Sequence, residues 1–338
     1  MAECTRPGSV VQVEPAILSL FSSVGSVCSR AVTEIARDTL LWASENERLR
    51  SLVPHLPFVR RAVRKFMPGE RLDDAVEAAR ELQARGLPTT LTHLGENVHE
   101  KEEAEAATQG YLDALDRIAE TGLDSEVSVK LTHLGLDANR DACYGRLRTL
   151  VHRAAELGTV VWVDMEESRY VDATLELYRR ARAERDAVGV CLQAYLRRTP
   201  DDLEALLRVG PAIRLVKGAY NEPADVAFPK KTDVDRQYLT LAVRLLSGAK
   251  DGVRAVFGTH DLRIVDAIAD AASQRGVKPD GYEVHMLYGI RAREQRALAA
   301  AGRKVRVLIS YGSAWFAWYM RRLAERPANV WFVLKSLV

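Results

Sequence analysis

The sequence predicts an α/β protein: a (β/α)8 barrel over residues 70–338, a helical arm over 1–69 in front of it, and a last helix across the barrel mouth. Three observations predict it. Short β-branched runs recur eight times, each is followed by an amphipathic stretch of helical length, and no GxGxxG turn follows the first run. The runs are Pro88–Leu91, Glu126–Leu131, Val160–Met165, Val188–Ala194, Ile213–Val216, Val253–Phe257, Tyr282–Leu287 and Val305–Ser310. A doubly wound sheet is the runner-up, but it would normally bind a nucleotide through that missing glycine turn. Before residue 70 the periodicity is helical, with Pro15, Pro54, Pro57 and Pro68 as breaks and Pro68-Gly69 as the joint to the barrel.

Composition narrows the function. Lysine and arginine number 48 against 46 acids, for a net charge of +2 over 338 residues. Such balance does not suit a nucleic-acid binder, which needs a basic stripe to displace counterions. The basic run Arg60-Arg61-Ala62-Val63-Arg64-Lys65 reads as a solvated helix face. Cys4, Cys28, Cys143 and Cys191 have no CxxC or metal-ligand spacing, so they read as free thiols of a reducing compartment. The start of the chain lacks a basic leader, and the apolar stretch Ala16–Cys28 is too short to span a bilayer. A cytoplasmic protein is expected, with the run Trp331-Phe332-Val333-Leu334 packing on the barrel or touching the inner membrane peripherally.

A barrel carries its chemistry at the C-terminal ends of its strands. Those ends hold His93, Glu96, Lys130, His133, Asp164, Glu166, Gln193, Arg214, Lys217, Thr259, His260, His285 and Tyr311. In Arg214-Leu215-Val216-Lys217-Gly218-Ala219-Tyr220, alternation sends Arg214 and Lys217 to opposite faces. Two cations there need partners, and small residues after them let a backbone approach a ligand. The partner is either an anionic ligand or strand carboxylates such as Asp164. Gly258-Thr259-His260-Asp261 opens a helix whose N-terminus suits an anion, or is a plain cap. After the last strand, Tyr311-Gly312 leads into a helix bearing Arg321 and Arg322. These neighbours diverge by about 100°, yet long side chains converge on one carboxylate if the helix lies over the mouth. Trp315, Phe316, Trp318 and Tyr319 beside them read as core packing.

Two other chemistries fit parts of this set. His93, His133, His260 and His285 at strand ends are compatible with a metal-dependent hydrolase, but no HxH pair opens the barrel. Lys130 or Lys217 beside Asp164 is compatible with a Schiff-base lyase.

Taken in order, the motifs Val127–Leu131, Trp162–Glu166, the Gln193 strand, Arg214–Tyr220, Gly258–His260, Met286–Arg291 and Arg321–Glu325 resemble the FAD-dependent proline dehydrogenases of the monofunctional bacterial type. That resemblance implies a distorted barrel whose final helix covers the strand ends. It implies FAD held by Met165, Gln193, Lys217, Gly218, Ala219, Thr259 and His260, with Arg214 near flavin N5 and Asp164 beside the substrate amine. Lys130, Arg321 and Arg322 are similar to the cations that hold the proline carboxylate, and Tyr220 would line the pocket. The implied reaction removes hydride from proline C5 to flavin N5, yielding pyrroline-5-carboxylate, with a quinone as electron acceptor. Leu308, Trp318 and Ser310 depart from the family's residues at the lid, so a ring-substituted proline is the alternative substrate.

Overall fold

A computed structural model describes residues 63–209, 212–249, 252–316 and 319, and the structure below is of those residues. Eight parallel strands close into a barrel in chain order, with β8 returning to β1. They are β1 Thr89–His93, β2 Ser125–Val129, β3 Val161–Val163, β4 Val188–Gln193, β5 Ala212–Val216, β6 Arg254–Gly258, β7 Glu283–Leu287 and β8 Lys304–Tyr311. All eight expected runs are present. Most ends lie within a residue or two of the sequence reading, and β3 is shorter than its run.

Helices α1 Leu72–Gln83, α2 Lys101–Thr121, α3 Arg140–Glu156, α4 Val171–Glu184, α5 Thr199–Leu207, α6 Lys231–Ala249, α7 Leu262–Gln274 and α8 Ala292–Ala300 alternate with the strands. Each forms for local reasons and packs by one stripe. In α1, Ala75, Val76, Ala79 and Leu82 are buried on one face, while Asp73 and Asp74 oppose the helix dipole in the first turn. Asn139 caps α3 by accepting the Ala142 N–H at 2.9 Å. α2 stops at Gly122, whose φ of 62° is a left-handed cap open to glycine at little strain.

Residues of one parity along the strands meet the helices. Leu91, Val127, Val129, Val163, Leu192, Ile213, Leu215, Phe257, Val307 and Ile309 lie in a single apolar core with α1 to α7. Burying each such side chain contributes about 1.5–3 kcal/mol. The other parity fills the barrel, and its chemistry is unusual for this fold. Glu126, Ser128, Trp162, Cys191, Arg214, Arg254, Glu283, His285 and Arg306 touch one another across the interior. A barrel interior is ordinarily layered with branched apolar side chains.

The first residues described, near the expected arm joint, run close to the β7–α8 loop, where a Cβ on Gly289 would lie 1.7 Å from the Lys65 carbonyl oxygen. Residues 1–62 of the expected arm over 1–69 and the pair Arg321 and Arg322 lie outside the described residues. Trp315, Phe316 and Tyr319 are buried, as the packing reading expects, and the Trp315 indole N–H donates to Glu70 at 3.0 Å. Trp318 and the run 331–334 are also outside the described residues.

Candidate active site

Arg214 is the centre of the site. Strand alternation turns it into the barrel, where it is 3% exposed. Its Nη2 donates to Asp164 Oδ1 at 2.6 Å and to Ser128 Oγ at 2.6 Å; its Nε donates to Cys191 Sγ at 2.8 Å. Strands β2, β3 and β4 thus hold the guanidinium of β5 at its edges. The Trp162 ring lies 4.9 Å from its central carbon. Burial works against the charge, but Cys191 and Asp164 outweigh it and raise the arginine's pKa. Burial also pushes the Cys191 thiol up to about 12, so it stays protonated and donates to Asp164 at 3.3 Å.

Asp164 follows β3 directly and is 23% exposed, so one side of its carboxylate keeps access to solvent. Lys130 follows β2 with the same inward parity, and its ammonium donates to Glu96 at 2.9 Å. Gln193 ends β4 with its amide N–H on the Met165 carbonyl at 3.1 Å. Two buried polar atoms here have no hydrogen-bond partner among the described residues: Arg214 Nη1, a donor, and Gln193 Oε1, an acceptor. They stand on adjacent strands, and such atoms are costly to leave unsatisfied. A flat heteroaromatic amide edge, which offers both acceptors and a donor, fits that pair.

The loop after β5 continues the site. Gly218 has φ +105°, and a Cβ there would lie 2.1 Å from the Tyr195 ring, so only glycine fits. Ala219 is exposed and Tyr220 half-buried. Lys217 does not share the Arg214 cluster. Its ammonium meets Asp235 of α6 at 2.5 Å and Asp261 at 3.7 Å. Thr259 Oγ1 accepts the Asp261 N–H at 3.2 Å, and Asp261 caps α7. The Leu287 N–H donates to His260 Nε2 at 2.9 Å, which places the ring proton on Nδ1 of a neutral imidazole.

Several strand-end groups lie elsewhere. His93, His133 and Tyr311 have the outward parity and pack under α2 with Tyr111: the His93 and Tyr311 rings stack at 5.1 Å, and His93 and His133 centroids are 5.3 Å apart. Burial, with His93 and Lys130 adding to it, lowers His133 to about 3. Glu166 is buried and accepts the Thr132 N–H at 3.0 Å, a loop tie rather than a mouth group. His285 lies inside the barrel on Glu283 at 3.1 Å. The four histidines therefore do not converge, and among the described residues no cluster of three or more His, Cys, Asp or Glu is placed to hold a metal.

Ser128, Cys191 and Trp162 surround Arg214 in the candidate site, and the sequence reading missed them. Each precedes a chosen residue by two (Lys130, Gln193 and Asp164), so the period of a strand was the signal that could have found them.

A family model described as proline dehydrogenase matches residues 75–335. Proline dehydrogenase 1 of Bacillus subtilis strain 168 is 36% identical over 303 residues, covering 89% of this chain and 99% of its own. Proline dehydrogenase of Deinococcus radiodurans is 34% identical over 312 residues, covering 91% and 99%. Among solved structures, proline utilization A from Bdellovibrio bacteriovorus, inactivated by N-propargylglycine, superposes with a TM-score of 0.76 at 22% identity. That likeness covers 87% of this chain and 37% of the longer one, and it concerns the fold alone.

Proposed function

The chain belongs to the proline dehydrogenase family and is an enzyme that oxidises proline, the first step of proline catabolism; we propose that it does so with FAD over the Arg214–Asp164 pair. The family is flavin-dependent. Bound FAD would supply the acceptor for hydride from proline C5, giving pyrroline-5-carboxylate. The observation that carries this reading is the buried donor and acceptor left open on β5 and β4, Arg214 Nη1 and Gln193 Oε1. Met165, Lys217, Gly218, Ala219, Thr259 and His260 would hold the rest of the cofactor.

Arg214 keeps a positive charge in a water-poor site, where it favours negative charge growing beside it. Asp164, anchored by Arg214, would face the ring nitrogen, take up its proton as hydride leaves C5, and pass it to solvent on its exposed side. Lys130 takes the proline carboxylate together with Arg321 and Arg322. Its ammonium already holds Glu96, so binding there exchanges one carboxylate for another. Fixing the carboxylate sets the ring face against the cofactor at reacting distance. Tyr220 lines the pocket wall.

Electrons then pass to a quinone, an assignment supported by family likeness. Among the described residues no helix is long and apolar enough to cross a membrane, so contact with a quinone pool would be peripheral. We place the enzyme in the cytoplasm, with at most such a contact.

Anaerobic addition of L-proline to the purified chain loaded with FAD tests the reading: the flavin bands bleach, and glycine leaves them unchanged. A chain that retains no FAD after soaking, or whose flavin ignores proline, refutes it. A second substrate reading, a ring-substituted proline, rests on Leu308, which shares the inward parity of Arg306 on β8, is half-buried and stands where the family tends to carry a tyrosine. A kcat/KM for 4-hydroxyproline comparable to that for proline supports it, and an ordinary strong preference for proline removes it.

A further inference from the structure

We propose that Trp162 is a positioning residue for the reaction: its indole is the platform that fixes the plane of the Arg214 guanidinium under the cofactor. The inference rests on the role given above to Arg214. Trp162 lies on β3 two residues before Asp164 and is wholly buried. Its N–H donates to Glu126 Oε2 at 2.7 Å. Glu126 is in turn held by Arg254 at 2.5 Å, and Arg254 by both oxygens of Glu283 at 2.7 and 2.8 Å. The indole therefore stands on an ion network at the barrel floor.

Two cations share this ring. The Arg214 guanidinium carbon lies 4.9 Å from the ring and that of Arg254 5.3 Å. His285 meets it edge-on, with centroids 5.8 Å apart and planes at 74°. On the β4 side Gly189 leaves the space the ring occupies, since a Cβ there would be 2.6 Å from Trp162 Cε3.

The division of labour around Arg214 follows from geometry. Ser128, Asp164 and Cys191 bond the edge of the guanidinium, which fixes its position in its own plane and leaves tilting out of that plane opposed only by bending of those bonds. A cation attracted to an aromatic face closes that freedom. Donation of the indole N–H to a carboxylate makes the ring more electron-rich and strengthens the attraction. With the plane set, the one open nitrogen, Nη1, has a fixed direction. Misplacement of such a donor by about 1 Å costs up to about a hundredfold in rate.

The test uses the full chain with FAD bound, in wild-type, Trp162→Phe and Trp162→Leu forms. The Arg214 Nε–H signal in a nitrogen–proton correlation spectrum is identified by its loss in Arg214→Met. In wild type it carries the upfield shift of a proton over an aromatic ring. That shift is lost in Trp162→Leu and largely kept in Trp162→Phe. Flavin reduction by proline under single-turnover conditions slows about tenfold or more in Trp162→Leu. Trp162→Phe restores most of the rate, while the proline concentration giving half-maximal rate stays within about twofold.

An unshifted Arg214 signal in wild type overturns the platform, even where Trp162→Leu does not fold. A shift lost without any change in reduction rate overturns the positioning role. Wild-type reduction by Arg214→Met overturns the role of Arg214 itself, and the inference falls with it, by a result distinct from the other two.

Discussion

The Arg214–Asp164 pair predicts an asymmetry between its two deletions. Both groups lose the same 2.6 Å bond, but they are left in different surroundings. Asp164→Ala strands a guanidinium that is 3% exposed, with Ser128 Oγ and Cys191 Sγ as its remaining neutral acceptors. Removing one partner of a buried pair costs about 3–5 kcal/mol, because the other charge cannot reach water. Arg214→Met leaves a carboxylate that is 23% exposed and can hydrate, and the methionine refills most of the volume. That change leaves the buried Ser128 Oγ and Cys191 Sγ without their donor and costs about 1–2 kcal/mol. For a chain of this size, about 1.4 °C of melting temperature follows each kcal/mol. The expected losses are about 4–7 °C for Asp164→Ala and about 1–3 °C for Arg214→Met. Thermal unfolding at pH 7 by circular dichroism, backed by urea titration, reads both. Neither variant reduces flavin with proline. An Arg214→Met protein as unstable as Asp164→Ala, or more so, refutes the claim that burial of the cation decides the cost.

Other outcomes are expected. Burial lowers His285 to about 4, so the folded state stays neutral while the unfolded chain takes up a proton below about pH 6.5. Stability therefore falls as pH drops from about 6.5 towards 4, by about 2 kcal/mol at pH 5 for this residue alone. His285→Gln removes that share of the acid loss, seen as a smaller difference between urea titrations at pH 8 and pH 5. Gly189→Ala drives a methyl group into the Trp162 ring and costs about 1–3 kcal/mol in urea titration. Lys217→Met weakens FAD binding about tenfold, measured by quenching of flavin fluorescence. It shifts unfolding by less than about 1 kcal/mol, because Asp235 keeps Lys231 and Asp261 keeps Arg263.

The strands were legible because a strand facing helices on one side needs β-branched and aliphatic residues there, and those runs stand out from Ala/Glu/Arg-rich helices. The direction of each strand-end side chain was less legible. His93, His133 and Tyr311 are polar and sit near strand ends, as mouth groups do, yet they pack under α2. One residue of register decides which way a side chain faces. An anchor was needed to set that parity, and the anchors are pairs far apart in sequence, such as Arg214 with Ser128, 86 residues away. No local pattern announces them. The same holds for Lys217, whose cationic character was visible but whose carboxylate partners lie on α6 and at the start of α7. Arg214 could be read in the sequence as needing a partner, and Asp164 was already a candidate for it.

Once parity is set, the barrel interior reads as stacked layers, and three of the site residues have their support two residues earlier in the same run. Asp164 stands on Trp162, Lys130 on Ser128 and then Glu126, and Gln193 on Cys191. The supports are polar or aromatic because their task is to hold a cation in a low-dielectric interior, which apolar layers do not do. Substituting the interior ions by packed aliphatic residues would be neutral or stabilising for the fold. It would also release the guanidinium from Ser128 and Trp162. The charged interior is therefore better explained by the placement of Arg214 than by stability, and replacing whole interior ion pairs by packed aliphatic residues should change flavin reduction before it changes unfolding.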